Sequence, residues 1–208
     1  MKKKFLKHIL PGVLFITLLF VLSGCMSGAS VKTRYYVLNP VAPESGEAIP
    51  KNSTDNISLE IISLRLPQYL ERPQIVTRSH QNQLQLSEYH QWAGNLRKNV
   101  TIVLARNLSR FLKTPNVIVP PQSTRIQPDF RVQLEIMQFE MDAEGTVQFS
   151  GQWRLWSRDQ KTAPVTQIVE LARAIELKGG DYAGIVQAME EVLGEVSLLI
   201  ADVIATQN

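Results

Sequence analysis

The hydrophobic positions along this chain change period from segment to segment, and each change marks an element. Ile9 to Leu22 is apolar except at Pro11, Gly12 and Thr17. Arg34 to Leu38, RYYVL, is a short aromatic and β-branched run that reads as a first strand. Asn39 to Asn56 mixes Pro40, Pro43, Gly46 and Pro50 with Ser, Thr and Asn, which is loop composition. Ile57 to Leu66 predicts a second strand, closed by Pro67. Ile75 to Arg78 and Leu84 to Ser87 flank His80-Gln81-Asn82-Gln83 and predict a hairpin.

Two segments switch to helical spacing. From Trp92 to Leu112 the apolar residues are Trp92, Leu96, Val100, Val103, Leu104, Leu108, Phe111 and Leu112, with Arg97, Lys98, Asn107 and Arg110 on other faces. Pro115 prevents extension. From Tyr182 to Ala205 the stripe is Tyr182, Ile185, Val186, Met189, Val192, Leu193, Val196, Leu199, Ile200 and Val203, and Asp181 after Gly179-Gly180 is the expected N-cap.

Strand period returns between the helices. Val117 to Val119 is short, and Pro120 to Pro128 is a proline-bounded loop. Arg131 to Met141 begins with Val132, Leu134 and Ile136 on one face, then changes to Met137, Phe139 and Met141, a parity switch that predicts a bulge. Thr146 to Trp156 and Val165 to Leu177 follow after short turns, so the three form an antiparallel meander. Two amphipathic helices can cover one face of such a sheet. The expected fold class is α+β, two layers, a mainly antiparallel sheet packed by two helices.

The first apolar run stands apart. Lys2, Lys3, Lys4 and Lys7 precede it, and Ser23 and Gly24 end it, the order of a secretory signal peptide. Its core of about 14 residues is short of the roughly 20 needed to span a membrane. An uncleaved anchor is the alternative. The chain's only cysteine, Cys25, closes this segment. Leu22-Ser23-Gly24-Cys25 resembles the lipobox of bacterial lipoproteins, which implies diacylglycerol on the Cys25 thiol, cleavage after Gly24 and acylation of the new amine. A single cysteine in a secreted chain otherwise lacks a partner. Several acyl chains on one residue make attachment essentially permanent, at about 0.8 kcal/mol per buried methylene. Residues 1–24 are therefore expected to be the signal peptide, 25–33 a lipidated tether, and 34–208 a single periplasmic α+β domain. Met26 stands where an aspartate would retain a lipoprotein in the inner membrane, and by that analogy the outer membrane is the expected address.

Charge and chemistry narrow the function. The four lysines lost with the signal peptide turn a formal +3 into −1. No concentrated basic patch remains, which argues against nucleic acid as a partner. His80 and His90 have no companions at metal-ligand spacing, so no metal is expected. There is no nucleophile elbow and no phosphate-binding loop. Glu190-Glu191, and Glu140 with Asp142 and Glu144, read as solvated charge. No catalytic residue and no cofactor is expected. Tyr69, Leu70 and Arg72 lie between Pro67 and Pro73. A rigid proline-framed segment bearing Tyr and Arg suits a partner-binding surface; the alternative is that Tyr69 and Leu70 tuck under the sheet as a satellite core.

The ordered set of RYYVL at Arg34–Leu38, LPQYLERPQIVTR at Leu66–Arg78, EYHQWAGNLRKNVTIVLARNL at Glu88–Leu108 and FSGQWRLW at Phe149–Trp156 resembles the PqiC-like (YmbA-like) lipoproteins, also called ABC-type transport auxiliary lipoproteins. Gly94-Asn95 departs from the acidic or proline-containing versions of that position. The resemblance implies an outer-membrane lipoprotein working with an MCE-domain (PqiB-like) transporter. Its role would be to dock or receive the end of a periplasm-spanning lipid tunnel, as a possible homo-oligomer, and to maintain the envelope. The alternative is an assembly lipoprotein that holds an envelope complex without touching lipid.

Overall fold

The computed structural model describes residues 31–41, 57–80, 82–121, 127–159, 163–175 and 182–207. Cys25, the expected signal peptide (residues 1–24), Gly179-Gly180 and Asp181 lie outside the described residues. Every element of the described residues falls in the compact unit Thr33–Asn208. In chain order these are β1 (Arg34–Tyr36), β2 (Leu59–Arg65), a 3-10 turn (Gln68–Leu70), β3 (Gln74–His80), β4 (Gln83–Trp92), α1 (Leu96–Phe111), β5 (Val117–Ile118), β6 (Phe130–Met141), β7 (Thr146–Ser157), β8 (Val165–Ala174) and α2 (Tyr182–Gln207).

The fold is α+β, with an eight-stranded mixed sheet. Its hub is β6. One edge takes β7 in antiparallel register from Phe130↔Ser157 to Met141↔Val147, and β8 continues the meander. The other edge is shared by two successive strands. β2 runs parallel to it from Leu59↔Phe130 to Arg65↔Glu135. The chain then steps outward through Pro67–Pro73 and touches β6 again in β3, at Thr77↔Met141. β4 returns antiparallel to β3, while β1 lies parallel to β4 and β5 parallel to β2. The hairpin and meander are as their sequences indicate. The parallel pairs join residues far apart in the chain, and nothing in their local pattern points to them.

The bulge also forms, as a register shift between Ile136 and Gln138. It moves Met137 off the core face, where the alternation placed it, to 51% exposure. Phe139 is re-aimed inward and meets Phe149 edge to face at 5.5 Å.

The first helix starts later than its apolar stripe. Trp92 ends β4 instead of opening a helix: it stands opposite Tyr36 of β1, and its N–H donates to the Pro73 carbonyl at 2.7 Å. Asn95 then caps α1, its side chain accepting from the Lys98 N–H at 2.9 Å. At the far end Lys113 takes a positive φ of 51°, which stops the helix before Pro115.

Both helices pack on the sheet face that carries Val132, Leu134, Phe139, Val147, Trp153 and Leu155, all buried. The stripe of α2 that meets them includes Ile185, Met189, Val192, Leu193, Val196, Ile200 and Ile204, also buried. Burying a large apolar side chain stabilises by roughly 1.5–3 kcal/mol. Leu199 leaves this stripe and is 36% exposed. Where α1 crosses α2, Asn107 donates to Ser197 at 3.3 Å within the core. Gly194 has a steric reason: a Cβ there would collide with the Val41 isopropyl group, so its absence lets the segment after β1 lie across the helix.

Asp129 fastens the start of β2 to the start of β6. Its Oδ2 accepts from Ser58 N–H at 2.8 Å and Ser58 O–H at 2.6 Å, and Arg158 pairs with it at 3.1 Å. Burial pushes this carboxyl's pKa up, but the Ser58 hydrogen bonds and Arg158 together hold it below the ordinary value.

Candidate functional site

The Pro67–Pro73 step is built around a buried carboxylate. Glu140, two positions past Gln138 at the bulge, has a side chain with no solvent exposure. The Tyr69 hydroxyl donates to its Oε2 at 2.9 Å. Arg78 donates from Nε to Oε1 at 2.8 Å and pairs with the same oxygen through Nη2 at 2.7 Å, a charge-assisted contact. Gln138 adds a bond to Oε1 at 3.2 Å, and the Phe139 N–H one to Oε2 at 3.1 Å. The expectation of solvated charge at Glu140 is thus corrected. The strand period places Glu140 on the face away from Phe139, and the β2–β3 step covers it there. Burial first, and then the carboxylate beside it, hold the Tyr69 phenol well above its ordinary pKa. The Arg78 guanidinium is raised chiefly by its hydrogen bond to Glu140. A buried charge with partners on both oxygens is tolerable; one stripped of them is not.

This cluster determines where the proline-framed residues lie. Tyr69 is half-buried and points its hydroxyl inward. Leu70 is 3% exposed and belongs to the core, so its side chain is not on the outer surface. Arg72 is partly buried, and its Nε has no hydrogen-bond partner among the described residues. Gln68, Glu71 and Pro73 face solvent. Two turn bonds, Leu70 N–H to Pro67 O at 3.0 Å and Glu71 N–H to Gln68 O at 3.1 Å, hold the backbone. Glu71 reaches Arg97 in the first turn of α1 at 3.1 Å.

A second constellation surrounds His90, which the sequence marked only as lacking companions at metal-ligand spacing. The ring is partly buried and stacks on Tyr182, the first residue of α2, with centroids 3.9 Å apart and planes 10° from parallel. Its Nδ1 shares a 2.8 Å hydrogen bond with the Tyr36 hydroxyl. Burial, and then the nearby Arg34, lower its pKa from the ordinary value. The stack joins β1, β4 and α2. The sequence pattern around His90 did not point to this stack, because the partner rings come from 54 residues upstream and from beyond the meander.

An open groove of about 1110 Å³ runs along α2, lined by Val41, Phe111, Leu198 and Leu199 and by Glu190, Glu191, Glu195 and Asp202. Arg173 of β8 pairs with Glu191 at 3.4 Å and Glu195 at 3.2 Å on its rim. Among the described residues no group of three His, Cys, Asp or Glu could hold a metal ion. No helix of the described residues is long and apolar enough to cross a membrane.

Comparison with known proteins gives a family and a fold. The family described as ABC-type transport auxiliary lipoprotein component matches residues 36–201. No curated protein matches the chain. The crystal structure of an uncharacterized protein is similar at 21% identity, covering 83% of this chain and 99% of its own, with a TM-score of 0.64. The structure of protein XCC0632 from Xanthomonas campestris is similar at 17% identity, with 84% and 97% covered and a TM-score of 0.63. At these identities the two structures share the fold.

Proposed function

The chain belongs to the family of ABC-type transport auxiliary lipoproteins, and from that premise we propose that it is the outer-membrane lipoprotein of an MCE-type lipid-transport system. In this reading Cys25 carries the lipid anchor, with palmitate among its acyl chains. The periplasmic domain docks on, or receives, the end of a tunnel that rises from an inner-membrane MCE partner. It works as a homo-oligomer, so that a closed ring of copies repeats one modest contact. No catalytic step and no cofactor belongs to this role.

The observation that carries the proposal is the family match along residues 36–201. The Pro67–Pro73 step supports placing the contact there. Its outward residues Gln68 and Glu71 and the partly buried Arg72 sit on a backbone stiffened by two prolines, with Tyr69 anchored to Glu140 and Leu70 to the core. A surface ordered before binding loses little entropy on docking. Tyr69 therefore acts by holding the step in place, and Arg72 by direct contact.

The test is photocrosslinking in intact cells from a reactive residue at Glu71, with Ile168 on the distant strand β8 as the reference. Capture of an MCE-domain protein from Glu71 but not Ile168 is expected, together with loss of acyl labelling in Cys25→Ala. Capture from Ile168 alone would move the contact. Capture of no MCE-domain protein from either site would overturn the transport role.

A further inference from the structure

Beyond docking a protein partner, we infer that the β1 edge of the domain rests on the surface of the bilayer that holds its anchor. The inference rests on lipidation at Cys25 and adds a second, direct contact with phospholipid.

Exposed apolar side chains flank this edge, on β1, on β4 and on the neighbouring turns of α1. Tyr35 is 66% exposed, Val37 51%, Ile102 47% and Tyr89 40%. β1 and β4 pair in parallel with Tyr35 opposite Gln91, so Tyr89, two residues earlier on β4, shares the face of Tyr35. Val37 follows along the chain and, with Ile102 and Lys98, lines a shallow crevice of about 230 Å³ at the start of α1. Among the described residues β1 is bonded on one side only, to β4. Neither tyrosine can serve the core from here: the inward position of β1 is Tyr36, already committed to His90 and Tyr182.

Chain length selects the occupant. Tyr35 lies ten residues after Cys25, a distance the chain spans with at most about 35 Å. The acyl chains thus hold this edge within reach of headgroups whatever path the intervening residues take. The chemistry agrees. Tyrosine favours the boundary between water and hydrocarbon, with its ring against apolar chains and its hydroxyl among headgroups. Arg34 and Lys98, both exposed, supply positive charge beside the strip for anionic lipid. Four partly exposed side chains are too few for a free protein interface, which needs roughly 800 Å² from each partner. They are enough for a contact made at high effective concentration beside an anchor. The contact would fix which way the domain faces, presenting its other surfaces to the periplasm.

Because Cys25 is the only native cysteine and is consumed by acylation, a second cysteine can report depth. Tyr35→Cys, Tyr89→Cys and, as reference, Ile168→Cys would be placed in the full lipidated chain and labelled with an environment-sensitive fluorophore. The proteins would be reconstituted into vesicles of phosphatidylethanolamine and phosphatidylglycerol, with and without brominated acyl chains. Quenching by brominated lipid at positions 35 and 89, at least threefold stronger than at 168, is the expected result. Equal quenching at all three positions, or none at 35 and 89 in protein that floats with the vesicles, overturns the inference and leaves the anchor intact. Self-quenching that rises with protein density and ignores bromination assigns the strip to a second copy and also overturns it. Failure of the unmodified chain to float overturns the anchor itself, and the membrane contact with it.

Discussion

Helix α2 and the Pro67–Arg78 segment are both fixed to the same sheet, but by opposite physics. The helix is held by apolar area spread over many residues, from Ile185 to Ile204. The segment keeps Leu70, Ile75 and Val76 in the core, but its polar face is tied down by one carboxylate, Glu140, on which Tyr69, Arg78 and Gln138 converge. In the first case each contact is non-directional, and losing one methylene costs about 1 kcal/mol. In the second the partners depend on one another, since removing one leaves a buried charge or donor unsatisfied. The difference teaches where the domain can be altered without harm: the stripe tolerates trimming, and the polar cluster does not.

The strongest way to break the contrast is to put a charge into the apolar region. Val196→Asp inserts an unpaired carboxylate at a position with 0% exposure. A loss of more than about 4 kcal/mol is expected, seen as a collapse of the thermal transition or as failure to fold. An unchanged melting temperature would mean that this face of α2 is not core.

Next in size is Glu140→Ala, which takes the shared carboxylate from both Arg78 and Tyr69. Removing one member of a buried pair costs roughly 3–5 kcal/mol. Arg78 is partly exposed, with 24% of its side chain in solvent, so a value at or below the lower end is expected by denaturant titration. Glu140→Gln should recover part of the loss, because its oxygen can still accept one of these bonds. If Glu140→Ala melts like the native protein, the segment is held by its apolar residues Leu70, Ile75 and Val76 without the carboxylate.

Tyr69→Phe sharpens the comparison by keeping the ring and deleting one hydrogen bond to a charged acceptor, worth about 1.5–3 kcal/mol. The same substitution should raise amide exchange in Gln68–Glu71 and leave α2 unaffected. Equal loosening of both regions would show that they unfold as one unit.

The smallest effect belongs to His90. Its folded pKa lies below the ordinary 6.5, so the unfolded chain binds the proton more readily. Stability should be level above about pH 6.5, fall as the pH drops below it, and level off under the folded pKa. His90→Gln should remove that part of the slope. A slope unchanged in His90→Gln would assign the titration to another group.

How much of this was legible can be argued from single residues. The stripe of α2 was readable because its period is a local property, repeated along an uninterrupted run. The bulge in β6 was readable as a parity switch, yet alternation alone could not say that Met137 would be the residue expelled. Asn95 shows the limit at element ends: the apolar spacing runs back to Trp92, and only the pairing of Trp92 with Tyr36 makes that residue strand. The sequence by itself determined the two helices, the hairpin and the meander. All follow from periodicity and order over short separations, where a neighbouring residue is the nearest partner in space. Only the tertiary structure decided that β2 and β3 share one edge of β6. That arrangement brings Tyr69 and Arg78 to a glutamate more than sixty residues away, because burial of a polar group depends on what folds over it, and no local pattern encodes that.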